Sequence, residues 1–209
     1  MQKNITVLGI GSLLCPESAR KTCPALGHFR VGYVTGYRRI FNKMNTVQVL
    51  RGNPLPPDKA CASVSAIPDG DTIGDTTANT TMAVSVFNIR PEAYPALLRR
   101  EFDYKLEPVP YTDAAGHTDH GLLCIGNFAN DAECAALCAT DPIRAEMWQA
   151  YLNATTEPLW RNDLLPTPDY LAFCLNAAHT LGDDIYENFL DTTYLGDNTT
   201  TIRQYLGRG

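Results

Sequence analysis

The sequence predicts an α+β protein built on a mixed or antiparallel, barrel-like sheet. Short apolar and β-branched segments dominate residues 1–128, one helical segment interrupts them at 91–100, and a helical period takes over from Asp131 onward. Strands that come first and helices that follow are typical of α+β folds, whereas doubly wound folds alternate the two. We therefore expect a small barrel flanked by helices, with a helical C-terminal half.

The predicted strands are short apolar segments bounded by turn-forming residues. The first, at residues 5–8, ends at Gly9, which indicates a buried strand that runs into a glycine turn. The proline-rich stretch 51–58 predicts a loop, because proline lacks the N–H that a central strand needs. The remaining strands are predicted at 29–34, 37–41, 46–50, 61–67, 82–89 and 121–128, with an extended segment that begins at Pro108.

The predicted helices carry start and stop signals. Pro91 suits the first turn of a helix at 91–100, where its missing N–H costs nothing. In the second half, Asp and Thr stand at several helix starts as caps, and Gly182, Gly196 and Gly207 follow helix ends. These later helices are predicted at 132–139, 142–152, 167–181, 184–190 and 199–206.

A chain of 209 residues without a recognisable linker predicts a single domain over residues 1–209. Residues 1–128 would supply most strands and the candidate site, and residues 129–209 the helical part. The polar segment 71–80, rich in Thr, Asp and Asn, is expected to form an exposed loop.

Charge and cysteine content argue against several classes of function. A net charge of −6 and a pI near 5.1 disfavour a nucleic-acid partner, because such proteins present a basic face. No apolar run approaches the ~20 residues of a membrane span. Seven cysteines without a short-spaced framework are typical of free thiols in a reducing compartment. We expect a cytoplasmic protein with no nucleic-acid or membrane partner.

Glu101 is a candidate proton-transfer group. It follows the apolar helical run 94–98 and precedes the extended segment at Pro108, so it lies at a junction between elements. Functional side chains gather at such junctions, because loop backbone aims a residue while the scaffold holds it. Without other evidence, the residue is more typical of a surface glutamate beside Arg99 and Arg100, because exposed ion pairs are common.

Gly9-Ile10-Gly11 after the first strand resembles the start of a dinucleotide-binding fingerprint. The third glycine of that fingerprint would fall at Leu14, and no βαβ unit follows, so the dinucleotide interpretation fails. A tight turn remains, in which the N–H groups of Gly11, Ser12 and Leu13 could form a nest for an anionic or carbonyl oxygen.

His117, Asp119 and His120 form the densest cluster of potential metal ligands. No fourth ligand is near in sequence, and the segment is typical of a solvated connector. Cys134 and Cys138 share a helix face, where buried thiols pack as small apolar groups. We expect no metal and no cofactor.

Three separated blocks together resemble the γ-glutamylcyclotransferase superfamily, which includes the ChaC-like proteins. The loop Ile10-Gly11-Ser12-Leu13-Leu14 is similar to the family's Tyr-Gly-Ser-Asn/Leu-Leu, and residues 36–42 are similar to Gly-Trp/Tyr-Arg-Arg-x-Phe-Asn. Arg100, Glu101, Tyr104 and Val109 reproduce the family's Arg-Glu-x-x-Tyr-x-x-x-x-Val. Residues 188–206 also resemble the tails of plant and microbial relatives.

The resemblance implies a γ-glutamylcyclotransferase-like fold and an enzyme that cyclises a γ-glutamyl amide to 5-oxoproline, without a cofactor or metal. It implies that Glu101 is the catalytic proton shuttle and that Tyr104 orients Glu101 or lines the cavity. The partner would be a small γ-glutamyl substrate. The residues implied in substrate binding are Ile10, Gly11, Ser12, Leu13, Leu14 and Tyr104.

One departure from the pattern leaves a second function open. Ile10 stands where the family has a tyrosine, so the loop contributes no hydroxyl to the cavity at this position. A non-catalytic small-molecule-binding protein on the same scaffold is the alternative. Neither the leaving group of the substrate nor the oligomeric state follows from the sequence.

Overall fold

A computed structural model describes residues 3–70, 80–126 and 128–207. The predicted loop at 71–80 therefore lies outside the described residues except for Thr80. The strands in chain order are β1 (Ile5–Gly9), β2 (Gly27–Thr35), β3 (Tyr37–Met44), β4 (Ala60–Pro68), β5 (Thr81–Ile89), β6 (Lys105–Asp113), β7 (Thr118–Ile125), β8 (Leu165–Pro166) and β9 (Thr193–Leu195).

The helices pack around the sheet, and most of them follow β7. They are α1 (Pro16–Thr22), α2 (Thr46–Leu50), α3 (Tyr94–Arg100), α4 (Asp131–Cys138), α5 (Pro142–Ala154), α6 (Pro168–Leu181), α7 (Asp183–Thr192) and α8 (Ile202–Leu206). Short 3₁₀ turns at Ser12–Leu14 and Pro91–Ala93 precede α1 and α3.

Five strands close into a barrel in the order β1-β5-β2-β6-β7. Neighbouring strands in this series are antiparallel, and a parallel pairing of β1 with β7 closes the ring, with Val7 opposite Leu122. The barrel is therefore mixed, and the chain has the α+β class with a small barrel that the sequence predicted. Closure places the C-terminal end of β1 beside its barrel neighbours, where the Gly9–Leu14 loop begins.

A second group of strands extends the sheet beyond the barrel. Ala66 of β4 pairs with Ile125 of β7, β3 runs antiparallel to β4, and β9 runs parallel to β3. The short β8 pairs with β4. This extension brings β3, β4 and helix α2 next to the mouth of the barrel.

The predicted strand at 46–50 is wrong, because these residues form helix α2. The preceding Asn45 is an N-cap whose side-chain oxygen accepts hydrogen bonds from Val47 N and Gln48 N at 3.1 and 3.3 Å. A cap satisfies N–H groups that a helix start leaves free, and here it outweighs the strand propensity of two valines. The short β8 and β9 were not predicted, because strands of two or three residues are too short to show the alternation of apolar and polar residues.

The other predicted strands and helices are present, with shifts of a few residues at their ends. The seven cysteines are all free, as predicted, and six of them are buried. Across the described ranges, helices long and apolar enough to span a membrane are absent.

Candidate active site

One cavity of about 370 Å³ brings together segments that are distant in sequence. Its walls come from the loop after β1, from β3, β4, β7 and α2, from the C-terminal end of α3 and the residues that follow it, and from the first turn of α6. Six of the predicted site residues line it: Ile10, Gly11, Ser12, Leu13, Glu101 and Tyr104. The seventh, Leu14, is completely buried in the hydrophobic core.

Glu101 is positioned by the end of helix α3. It is the C-cap residue, its backbone N–H donates to Leu97 O at 2.9 Å, and its φ and ψ of −110° and 35° end the helix. Its side chain is 12% exposed. The carboxylate is therefore largely removed from water and still open to the cavity.

Arg100 connects Glu101 with the Gly9–Leu14 loop, called the glycine loop below. Its Nε lies 3.0 Å from Glu101 Oε1, while Nη2 donates to Ser12 Oγ at 2.9 Å and to Ser18 Oγ at 3.2 Å. Nη1 donates to Ser18 O and to Thr22 Oγ1 at 2.9 and 3.0 Å. One guanidinium thus fixes the carboxylate, the loop and helix α1 relative to each other, which is the planar, multidentate role that arginine suits.

The pKa of Glu101 is raised from its ordinary value of 4.5. Burial is the largest cause, and the negative charge of Asp103 adds to it, whereas Arg100 and Lys43 act in the opposite direction. A carboxylate with a raised pKa is a stronger base than an exposed one. This environment suits a group that takes up and returns a proton.

A buried ion pair lies beside Glu101. Lys43 Nζ is 2.7 Å from Asp103 Oδ2, with side-chain exposures of 4% and 0%, and the ammonium lies 4.4 Å from the centre of the Tyr104 ring. Asp103 Oδ1 is buried and has no hydrogen-bond partner within the described ranges. Two cations and two carboxylates therefore meet at this side of the cavity, where low exposure strengthens their interaction.

The glycine loop is held from inside the protein. Ser85 Oγ donates to Leu13 O at 2.8 Å, and a Cβ built on Gly9 would lie 2.7 Å from both Leu13 Cβ and Leu13 O. Leu14 N donates to Gly11 O at 2.9 Å, which forms the 3₁₀ turn. The loop is thus a rigid turn that glycine allows to fold tightly.

A completely buried arginine also supports the loop. Arg39 Nε donates to Ile10 O at 2.9 Å, Nη1 donates to Thr192 Oγ1 at 3.1 Å, and Nη2 donates to Ala83 O. The guanidinium carbon lies 4.9 Å from the centre of the Phe189 ring. Burial lowers the pKa of Arg39 to about 9, so the group stays charged at neutral pH.

Tyr104 lines the cavity with its ring. Its hydroxyl donates to Val64 O at 2.8 Å, and so contacts the backbone of β4 and not the Glu101 carboxylate. The resemblance implies that Tyr104 orients Glu101 or lines the cavity, and the geometry favours lining the cavity. The Tyr104 ring also contacts the Lys43 ammonium.

Several lining residues were not predicted. Asn45 and Thr46 reach the cavity because α2 is a helix and not a strand, and the Asn45 cap was a signal that could have revealed it. Lys43 directly follows the block at 36–42. Tyr170, on α6, is brought to the loop by the fold alone, since it is 158 residues from Ser12 and belongs to no recognisable motif.

Solved structures with a similar fold include one described as a gamma-glutamyl cyclotransferase. It is 12% identical, has a TM-score of 0.56, and the match covers 99% of this chain and 100% of that one. An uncharacterized protein from Homo sapiens is also 12% identical, with a TM-score of 0.53 and coverage of 90% and 85%. Comparisons with family models and with curated proteins give no match. At this identity the likeness shows a common fold.

Proposed function

We propose that this chain, which has the γ-glutamylcyclotransferase-like fold, cyclises a γ-glutamyl amide to 5-oxoproline and releases the amine. The observation that carries the proposal is that the Glu101 carboxylate and the Ser12 turn open on one cavity, with Arg100 bonded to both. The cavity volume of about 370 Å³ is within the range of small-molecule sites.

The reaction joins two atoms of one substrate molecule. The α-amine attacks the γ-carbonyl carbon, a ring C–N bond forms, and the bond from that carbon to the leaving nitrogen breaks. Nucleophile and electrophile are already linked, so the protein's main task is to hold the γ-glutamyl chain curled, an orientation effect worth several kcal/mol. Neither a covalent residue nor a metal takes part in this scheme.

Glu101 moves the proton in this mechanism. An α-ammonium has no lone pair for attack, so Glu101 first takes a proton from it and gives that proton to the departing nitrogen. The ring nitrogen loses its second proton to the same carboxylate, which passes it to the released amine, so that the amine leaves as an ammonium. One carboxylate serves both steps in turn. Burial raises the pKa of Glu101, which favours the first step, and Arg100 keeps the carboxylate aimed into the cavity.

The loop holds the oxygen that gains charge. As the amine attacks, the γ-carbonyl oxygen becomes an oxyanion, and preorganised donors at that position lower the barrier. The turn at Gly11, Ser12 and Leu13 is fixed by Ser85 and Arg39 from behind. Its rigidity supports the role of an anchor for the γ-glutamyl group.

A non-catalytic binding protein is the second candidate. Ile10 favours it, because this buried side chain at the cavity wall offers no hydroxyl to a substrate. The same cavity would then hold a γ-glutamyl compound without turning it over.

Incubation with a panel of γ-glutamyl compounds separates the two candidates. The purified protein is given glutathione, γ-glutamyl amino acids and γ-glutamylamines, and 5-oxoproline is measured by mass spectrometry beside a Glu101→Gln sample. We expect product from at least one compound with the wild type and a large loss with the variant. Thermal stabilisation by these compounds without any product would support the binding protein and overturn the enzyme.

A further inference from the structure

Tyr170 places a hydroxyl at the centre of the glycine loop. A Cβ built on Gly11 would lie 2.8 Å from Tyr170 Oη and would also collide with Val64 Cγ1. Tyr170 and Ser12 both line the cavity at this point. Gly11 is therefore explained by close packing, since any side chain at this position would push the hydroxyl away from the loop.

The hydroxyl has a proton to donate. A tyrosine hydroxyl donates one hydrogen bond and accepts others through its lone pairs. Cys174, one turn further along α6, is the side chain near it. A thiol is a weak acceptor, so a carbonyl oxygen in the cavity would compete well for the Tyr170 proton.

The electrostatic surroundings keep that proton in place. Burial, first of all, and then the nearby Cys174 and Glu101 raise the pKa of Tyr170 well above its ordinary value. The group remains a neutral O–H donor across the neutral pH range.

We propose that the Tyr170 hydroxyl contacts the γ-carbonyl oxygen of the substrate and stabilises its charge in the transition state. This inference rests on the proposed cyclisation. It assigns to helix α6 a hydroxyl donor that the loop lacks at position 10, because Ile10 lines the same cavity with an aliphatic side chain. The Tyr170 O–H then acts on the substrate oxygen together with the N–H groups of the loop.

The test compares Tyr170→Phe with Tyr151→Phe. Tyr151 is a matched control, because its buried hydroxyl donates to Glu157 O at 2.9 Å and is not part of the cavity wall. For Tyr170→Phe we expect kcat to fall about 10²-fold with KM changed less than about threefold, as for loss of one oxyanion donor. For Tyr151→Phe we expect unchanged kcat.

A double variant distinguishes a chemical role from a structural one. Ile10→Tyr in the Tyr170→Phe background returns a hydroxyl to the cavity wall from the loop, and we expect it to restore part of the lost kcat. Gly11→Ala keeps the tyrosine at position 170 but pushes its hydroxyl away from the loop, so it is expected to lower kcat as well. It serves as the test if Tyr170→Phe does not fold.

The outcomes separate this inference from the proposed function. A wild-type protein that releases 5-oxoproline, with Tyr170→Phe or Gly11→Ala equally active, overturns the role of Tyr170 and leaves the cyclisation. A wild-type protein that releases none from any γ-glutamyl compound overturns the cyclisation and the role of Tyr170 together.

Discussion

The two walls of the cavity differ in charge. The charged wall consists of Lys43, Arg100 and Glu101, with Asp103 behind Lys43, and its ionised groups are paired within 3.0 Å. The neutral wall consists of Ser12, Ser63 and Tyr170 and offers hydroxyl and backbone donors. In the proposed cyclisation the two walls have different tasks: the charged wall moves protons and the neutral wall holds the oxygen of an uncharged amide.

The largest expected effect is at the centre of the charged wall. Glu101→Gln keeps the shape of the side chain but cannot accept a proton, so kcat for 5-oxoproline release should fall by about 10²–10⁴-fold. Glu107→Gln, at an exposed position on β6, is the control and should leave kcat unchanged. Steady-state kinetics with mass-spectrometric detection measure both.

Glu101→Gln should also leave the melting temperature nearly unchanged. For an acid whose folded pKa is raised, the stabilising contribution is present below the unfolded pKa and is lost as pH rises through the folded pKa. Above its folded pKa, the ionised Glu101 therefore gives the fold no such contribution to lose. A Gln variant with normal turnover would remove Glu101 from the mechanism.

The next largest effect concerns stability. Asp103→Asn removes the counter-charge of a Lys43 ammonium that is only 4% exposed, and breaking such a buried pair typically costs about 3–5 kcal/mol in the free energy of unfolding. Urea denaturation measures the loss. The double variant Lys43→Met/Asp103→Leu should recover most of it, since both buried charges are then gone.

Equal stability of Asp103→Asn and the wild type would contradict this account of the charged wall. It would mean that water reaches the Lys43 ammonium and screens it.

The pH dependence of kcat/KM tests the electrostatics more finely. Activity should be lost as pH falls through the folded pKa of Glu101, which lies above 4.5, because the protonated carboxyl is no base. Lys43 lowers that pKa, so Lys43→Met should move the acidic limb to higher pH. Rates are compared over the pH range in which circular dichroism shows both proteins folded, and an unmoved limb would exclude coupling between Lys43 and Glu101.

The smallest effect is expected on the neutral wall. Among the described residues, Ser63 Oγ makes two hydrogen bonds, of 3.4 and 3.5 Å to Lys43 O and Met44 O, and both are long, so the hydroxyl is available to a bound ligand. Ser63→Ala should raise KM about 2- to 10-fold with kcat unchanged, since a neutral hydrogen bond contributes about 0.5–1.5 kcal/mol. A fall in kcat instead would assign Ser63 to the reacting centre.

Part of each wall could be anticipated from the sequence, because those residues lie in short contiguous blocks. Arg100 and Glu101 of the charged wall are adjacent and end a helix whose apolar run is visible in the sequence, and Ser12 of the neutral wall lies in a turn that follows a clear strand. Their convergence on one cavity required the barrel closure through β1 and β7, which no local pattern encodes.

Other residues of the two walls, such as Lys43 and Tyr170, could not be anticipated in the same way. Tyr170 is an ordinary helical tyrosine in sequence, and its role depends on α6 packing against the loop across more than 150 residues of chain. The error at 46–50 has a different cause, since two valines favoured a strand while the Asn45 cap determined a helix. The strand propensity of the valines is outweighed here because the Asn45 side chain caps the first turn of the helix.

A crystal structure of the protein with 5-oxoproline tests the central claim most directly. We expect the ring nitrogen within about 3.2 Å of a Glu101 carboxylate oxygen. The ring carbonyl oxygen should lie on the opposite side, within hydrogen-bond distance of the Ser12 loop and Tyr170 Oη. A product bound with Glu101 turned away from it, or bound outside this cavity, would contradict the account.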